Sequence, residues 1–119
     1  MDTASAEFEK IDDVEYERRA RAVFESVEAT VDRFLQEDII DIDASRTGGL
    51  VELAFPNGSR IVLNTQPPLH ELWLAAQRGG FHFRPAAGRW IDGRDGLEFF
   101  EVLSACASEQ GGRTLVFGP

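Results

Sequence analysis

The sequence predicts an α+β sandwich, a class in which an N-terminal and a C-terminal helix pack on one face of a meandering antiparallel sheet. Three observations predict it. Apolar residues recur at three-and-four spacing from about Val14 to Leu35, and again from Leu97 to about Glu109, as amphipathic helices require. Between those stretches the period falls to two, and glycine-bearing turns break it into short runs. Helix, consecutive strands, helix is the order of a layered α+β fold.

The first helix rests on Tyr16, Ala20, Val23, Phe24, Val27, Val31 and Phe34. Its opposite stripe begins basic, with Arg18 and Arg21, and ends acidic, with Glu25, Glu28 and Asp32. That order opposes the helix macrodipole, whose negative end favours Lys or Arg in the last turn. The following "DIIDID" alternates Ile40 and Ile42 with Asp41 and Asp43, the pattern of a half-buried strand with its acids in water. The acidic stripe thus runs on from helix to strand through Glu37 and Asp38.

Asn57-Gly58, between two apolar runs, is the strongest hairpin signal in the chain, because both residues tolerate positive φ. Val51, Leu53 and Phe55 are expected inside, Glu52 outside. A strand follows from Glu71 to Ala76, then a turn at Gly79-Gly80, a strand from Phe81 to Arg84, and a short one in "GRWIDG". Asp95 is the expected cap of the second helix, and "RTLVF" an extended apolar tail. Residues 1–12 carry no sustained period and are expected to lack order, leaving residues 13–119 as a single domain.

With 119 residues, one domain with one core is the natural size. The formal net charge of −9 repels nucleic acid and anionic lipid and favours cations or basic proteins. The lone Cys106 allows no intramolecular disulfide, and no membrane span or secretory signal is visible, so the expected setting is the cytoplasm.

Catalytic patterns are missing: no phosphate-binding glycine motif, nucleophile elbow, HExxH or CxxC. No catalytic residue and no organic cofactor is expected. Cys106, on the apolar side of a helix, reads as a small buried hydrophobe, and His70 as a solvent or capping residue. Asp41, Asp43, Ser45 and Glu52 fall at positions 1, 3, 5 and 12 of an EF-hand loop, but Arg46 replaces its essential glycine and a strand pattern follows.

What remains is the stripe itself: Glu25, Glu28, Asp32, Glu37, Asp38, Asp41 and Asp43, interrupted by Arg33. A solvated face that keeps the protein soluble is one reading. The other is use: carboxylates without His or Cys bind divalent iron weakly and exchangeably, and the same field holds an Arg-rich protein surface. A second anomaly is Trp73. If Leu72 and Leu74 point inward, Trp73 lies on the outer face of the sheet beside Asn64 and Gln66, where an indole is suited to a protein interface.

The stretches "FPNGSRIVLNTQPPLHELWLAAQRGGFHFR" and "GRWIDGRDGLEFFEVL", behind an acidic helix and strand, resemble the bacterial frataxin family of CyaY type. The likeness runs from about Val14 to Phe117. It implies an iron-binding, non-enzymatic protein of iron-sulfur cluster assembly that engages a cysteine desulfurase and its scaffold protein. It further implies an acidic ridge at Glu28, Asp32, Asp41 and Asp43, with Glu25, Glu37 and Asp38 nearby, and outward sheet residues at Asn64, Gln66 and Trp73. Iron (Fe2+/Fe3+) would be held weakly at the ridge of a monomer, with iron-dependent oligomers as a variant. Arg33 and Ala29 stand where relatives often carry acids. A ferroxidase or iron-storage enzyme, and a purely protein-binding module, are the alternative functions.

Overall fold

The structure, a computed structural model, describes residues 8–119. Helix α1 (Asp13–Gln36) is followed by β1 (Asp43–Thr47), β2 (Leu50–Ala54), β3 (Arg60–Gln66), a single 3-10 turn (Pro67–Leu69), β4 (Glu71–Ala76), β5 (Gly79–Ala86), β6 (Arg89–Asp92) and α2 (Phe99–Gly111). The six strands form one antiparallel sheet in sequence order, each paired with its neighbours in the chain. Both helices lie on one face, and the expected α+β sandwich is what forms.

One core fills the space between the layers. From α1 it takes the expected stripe, Tyr16 through Phe34, and from the sheet Val51, Leu53, Ile61, Leu63, Leu72, Leu74 and Phe83. α2 adds Phe99, Leu103 and Cys106. Burial pushes the Cys106 thiol up in pKa, so it sits there as a protonated small hydrophobe. Leu115 and Phe117 of the tail complete the core, pinned because Ser108 and Ser104 each bond both the N–H and the carbonyl of one of them.

Several local expectations are revised. The strand predicted over "DIIDID" starts only at Asp43. Upstream, the helix closes in a Schellman arrangement: Asp38 takes φ 58, its N–H donates to Leu35 O, and the Ile39 N–H donates to Phe34 O. The backbone at Ile39 is spent on closing the helix and on the guanidinium of Arg113, not on a strand partner. Period-two burial survives, with Ile42 buried and Asp41 and Asp43 exposed.

In the Asn57-Gly58 hairpin only Gly58 has positive φ, at 88°. Pro56 cannot adopt positive φ, so the loop takes three residues, Pro56 to Gly58, closed by Phe55 N–H to Ser59 O. The turn expected at Gly79-Gly80 lies two residues earlier, at Gln77-Arg78, because Ala76 pairs with Gly79. The Gln77 N–H is claimed there by the buried carboxamide of Gln110. Helix α2 is capped by Glu98, whose carboxylate accepts from Phe100 and Glu101 N–H, and not by Asp95. A turn from Asp92 to Gly96 absorbs Asp95.

Of the twelve-residue segment expected to lack order, residues 1–7 lie outside the described residues. Residues 8–12 run along β5: Glu9 N–H donates to Pro85 O, and the Arg84 guanidinium stands 4.3 Å from the Phe8 ring centre. Arg19 grips the Glu9 carboxylate and holds its pKa below the usual carboxylate range.

Candidate functional site

The acidic residues divide by what lies beside them. Glu28 pairs with Arg46 at 3.1 Å, and Arg46 also covers the Phe24 ring, so this carboxylate stitches α1 to the edge strand β1. Glu37 sits 3.6 Å from Arg33, an exposed pair of small energetic weight. Glu25, Asp32, Asp38, Asp41 and Asp43 have no ion-pair partner among the described residues, and all are exposed.

Placement on the fold explains how far apart they stand. Glu25, Glu28 and Asp32 share one side of α1 by their spacing. Ile42 is buried and Ala44 packs against the core, so strand alternation turns Asp43 away from the helix layer. The ridge is split by its own edge strand, with Arg46 standing on the helix side. Consistent with that, no three His, Cys, Asp or Glu side chains among the described residues come together as a metal-holding group. The expected ridge residues are all at the surface, but they form a band of charge and not a chelate.

The second candidate surface is the outer face of the sheet. Leu72 and Leu74 are fully buried, and Trp73 faces outward, directly across from Asn64 on β3 and His82 on β5. Gln66 pairs with Glu71 in the same register. Trp73 and His82 stack at 4.0 Å with their planes 6° apart. The indole N–H donates to Glu71 Oε1 at 2.8 Å, and His82 Nδ1 lies 3.9 Å from that same oxygen. Sequence reasoning placed Asn64, Gln66 and Trp73 here but missed Glu71 and His82. Alternation alone put both on this face, two residues before Trp73 and opposite it.

The other histidine has a structural task. His70 adopts φ 52, stacks on Tyr16 at 4.8 Å, and lies 2.7 Å from Asp13. Tyr16 in turn donates its hydroxyl proton to Glu71 O and accepts from Gln66 N–H, which anchors β3, β4 and α1 at one buried point. Burial holds the phenol's pKa up at about 12.

The α-β sandwich thus carries two outer polar surfaces, one acidic and one aromatic. Residues 9–113 match the family described as Frataxin-like domain, and the chain belongs to that family. It is 46% identical over 105 residues to the Iron-sulfur cluster assembly protein CyaY of Polaromonas sp. (strain JS666), covering 88% of this chain and 90% of that protein. It is 45% identical over 106 residues to the protein of the same name from Albidiferax ferrireducens, covering 89% and 97%. Among solved structures, frataxin from Psychromonas ingrahamii superposes with a TM-score of 0.80 at 33% identity, covering 92% of this chain and all of that one. Yeast frataxin shares the fold, with a TM-score of 0.64 at 24% identity over 81% of this chain and 80% of its own.

Proposed function

We propose that this chain is an iron-binding protein of iron-sulfur cluster assembly, acting in the cytoplasm as an iron donor or as a regulator of a cysteine desulfurase, and not as an enzyme. Its assignment to cluster assembly is supported by the relatives that carry that name at 45% and 46% identity. The observation that carries the mechanism is the band of five carboxylates without ion-pair partners among the described residues: Glu25, Asp32, Asp38, Asp41 and Asp43.

Iron is cargo in this reading. Exposed carboxylates offer hard oxygen ligands to ferrous iron, which lies low on the affinity series, and their dispersion along the ridge favours weak binding and fast exchange. Those are useful properties for handing iron on. The same band, on a chain of net charge −9, steers a basic desulfurase patch toward α1 and the start of β1. The dispersed ligands also argue for presentation of iron over a di-iron ferroxidase centre, which needs carboxylates and His converging inside a bundle.

The test is the fourfold neutral variant Glu28→Gln, Asp32→Asn, Asp41→Asn and Asp43→Asn, with Asp32→Asn, Asp41→Asn and Asp43→Asn as a version that keeps the Glu28–Arg46 pair. Anaerobic ferrous titration and desulfurase binding should each weaken about tenfold or more, since about 1.4 kcal/mol of lost attraction suffices. Unchanged affinities in a variant with native circular dichroism would defeat the reading. A pure protein-binding role is favoured by a separate observation, the outward Trp73. Loss of partner binding in Trp73→Ala, with iron binding intact, would assign the sheet face its own docking task.

A further inference from the structure

We propose that Glu71, Trp73 and His82 form a receptor for one arginine side chain of the partner protein. The inference rests on the reading that the outer sheet face is a docking surface, and it specifies what that surface recognises.

The indole N–H is already committed to Glu71 Oε1, so Trp73 has no free donor to offer a guest. What it offers is an aromatic stack: the parallel imidazole of His82 covers one face of the indole at 4.0 Å, and the His82 side chain is itself 57% exposed. Beside that platform stands the Glu71 carboxylate, held in place by the indole, with its second oxygen unbonded among the described residues. A flat aromatic surface edged by an oriented carboxylate is complementary to a flat cation. Guanidinium fits both features, because its face stacks on aromatic rings while its edge N–H groups meet a carboxylate. An ammonium group can satisfy the charge but not the stacking, and an aromatic guest leaves the carboxylate unused. The negative charge of the whole chain draws the same kind of guest.

The probe is the capped tripeptide acetyl-Gly-Arg-Gly-amide, with its lysine counterpart as control, titrated against the full chain while two-dimensional NMR follows both indole N–H signals. Trp90 is buried in the core and serves as an internal reference and a check on folding. Arginine peptide should shift the Trp73 indole and the His82 amide, with an apparent Kd at least threefold lower than lysine peptide, while Trp90 stays put. Glu71→Gln and His82→Ala should each lose that preference. Glu71 holds Tyr16 through its backbone carbonyl, so the Gln variant keeps that contact. His82→Asn is the second variant should His82→Ala disturb Trp90. Equal response to both peptides, or a preference that survives the substitutions, overturns the receptor.

A parallel titration of Trp73→Ala against the desulfurase and scaffold separates the two levels. Lost partner affinity together with a silent arginine peptide leaves the docking surface standing and removes the receptor. Full partner affinity in Trp73→Ala removes the docking surface and the receptor with it.

Discussion

Asp38 is where the acidic ridge conflicts most directly with stability, and replacing it measures the conflict. The residue closes α1 at φ 58, a conformation that crowds an L side chain against its following carbonyl. Relief of that crowding by glycine gains about 1–2 kcal/mol. The greater freedom of glycine in the unfolded chain takes back about 0.4–1 kcal/mol. Removing a carboxylate from the negative end of the helix adds about 0.3–1 kcal/mol, toward the lower figure at an exposed site. Asp38→Gly should therefore stabilise the protein by about 1 kcal/mol, which for a domain of this size raises Tm by about 4 °C. Asp38→Asn removes the charge while keeping a side chain, and should gain less. Urea unfolding at low and high salt separates the contributions, since screening erases the charge part and spares the backbone part. A Gly variant no more stable than the parent, or equal to the Asn variant in all salts, would refute the account of strain at this cap.

Two further predictions concern buried polar groups. Gln110→Ala leaves the Gln77 N–H, the Ser59 hydroxyl and the Arg60 carbonyl without their partner and should cost about 3 kcal/mol in urea unfolding. A loss below about 1 kcal/mol would mean that water replaces the carboxamide. The folded Tyr16 phenol keeps its proton up to about pH 12 while the unfolded one titrates near 10.0, so its contribution is complete below pH 10 and is lost as pH rises toward 12. Tyr16→Phe should flatten the stability profile over that window and cost about 1–3 kcal/mol at pH 7, since Glu71 O and Gln66 N–H lose a partner.

The parts of this protein that were legible in its sequence are those governed by short-range periodicity. The α1 stripe follows from a spacing of 3.6, and a spacing of 2 sets Trp73 on the face opposite Leu72 and Leu74. What escaped were boundaries decided by distant groups. Gln110, near the end of α2, captures the N–H of Gln77 and bonds both Ser59 and the Arg60 carbonyl, while its own carbonyl accepts from Asn57. Two hairpin tips are thus set by one residue that no local rule connects to them. In the same way the strand predicted at Ile39 lost its backbone to the helix cap. Glu71 and His82 were visible by alternation but had no signal of their own, because their significance is a cross-strand stack that depends on register.

The split ridge bears on how iron and protein docking relate. If the carboxylates had been selected as a chelate, α1 and β1 would be expected to aim them at one point, and the pair most able to do so is Glu28 with the start of β1. Instead Glu28 is occupied by Arg46, and strand alternation sends Asp43 to the far side of the edge strand. What this geometry preserves is a series of exposed negative charges from the α1 terminus to Asp43 at the start of β1. Ion affinity falls steeply when ligands disperse, whereas attraction to an extended basic surface gains from each charge along its length. Under the proposed function, stability given up at Asp38 and along the last turns of α1 fits a protein partner that spans these charges better than it fits iron alone. On that reading iron would share the charges that hold the partner, and high salt should release both together.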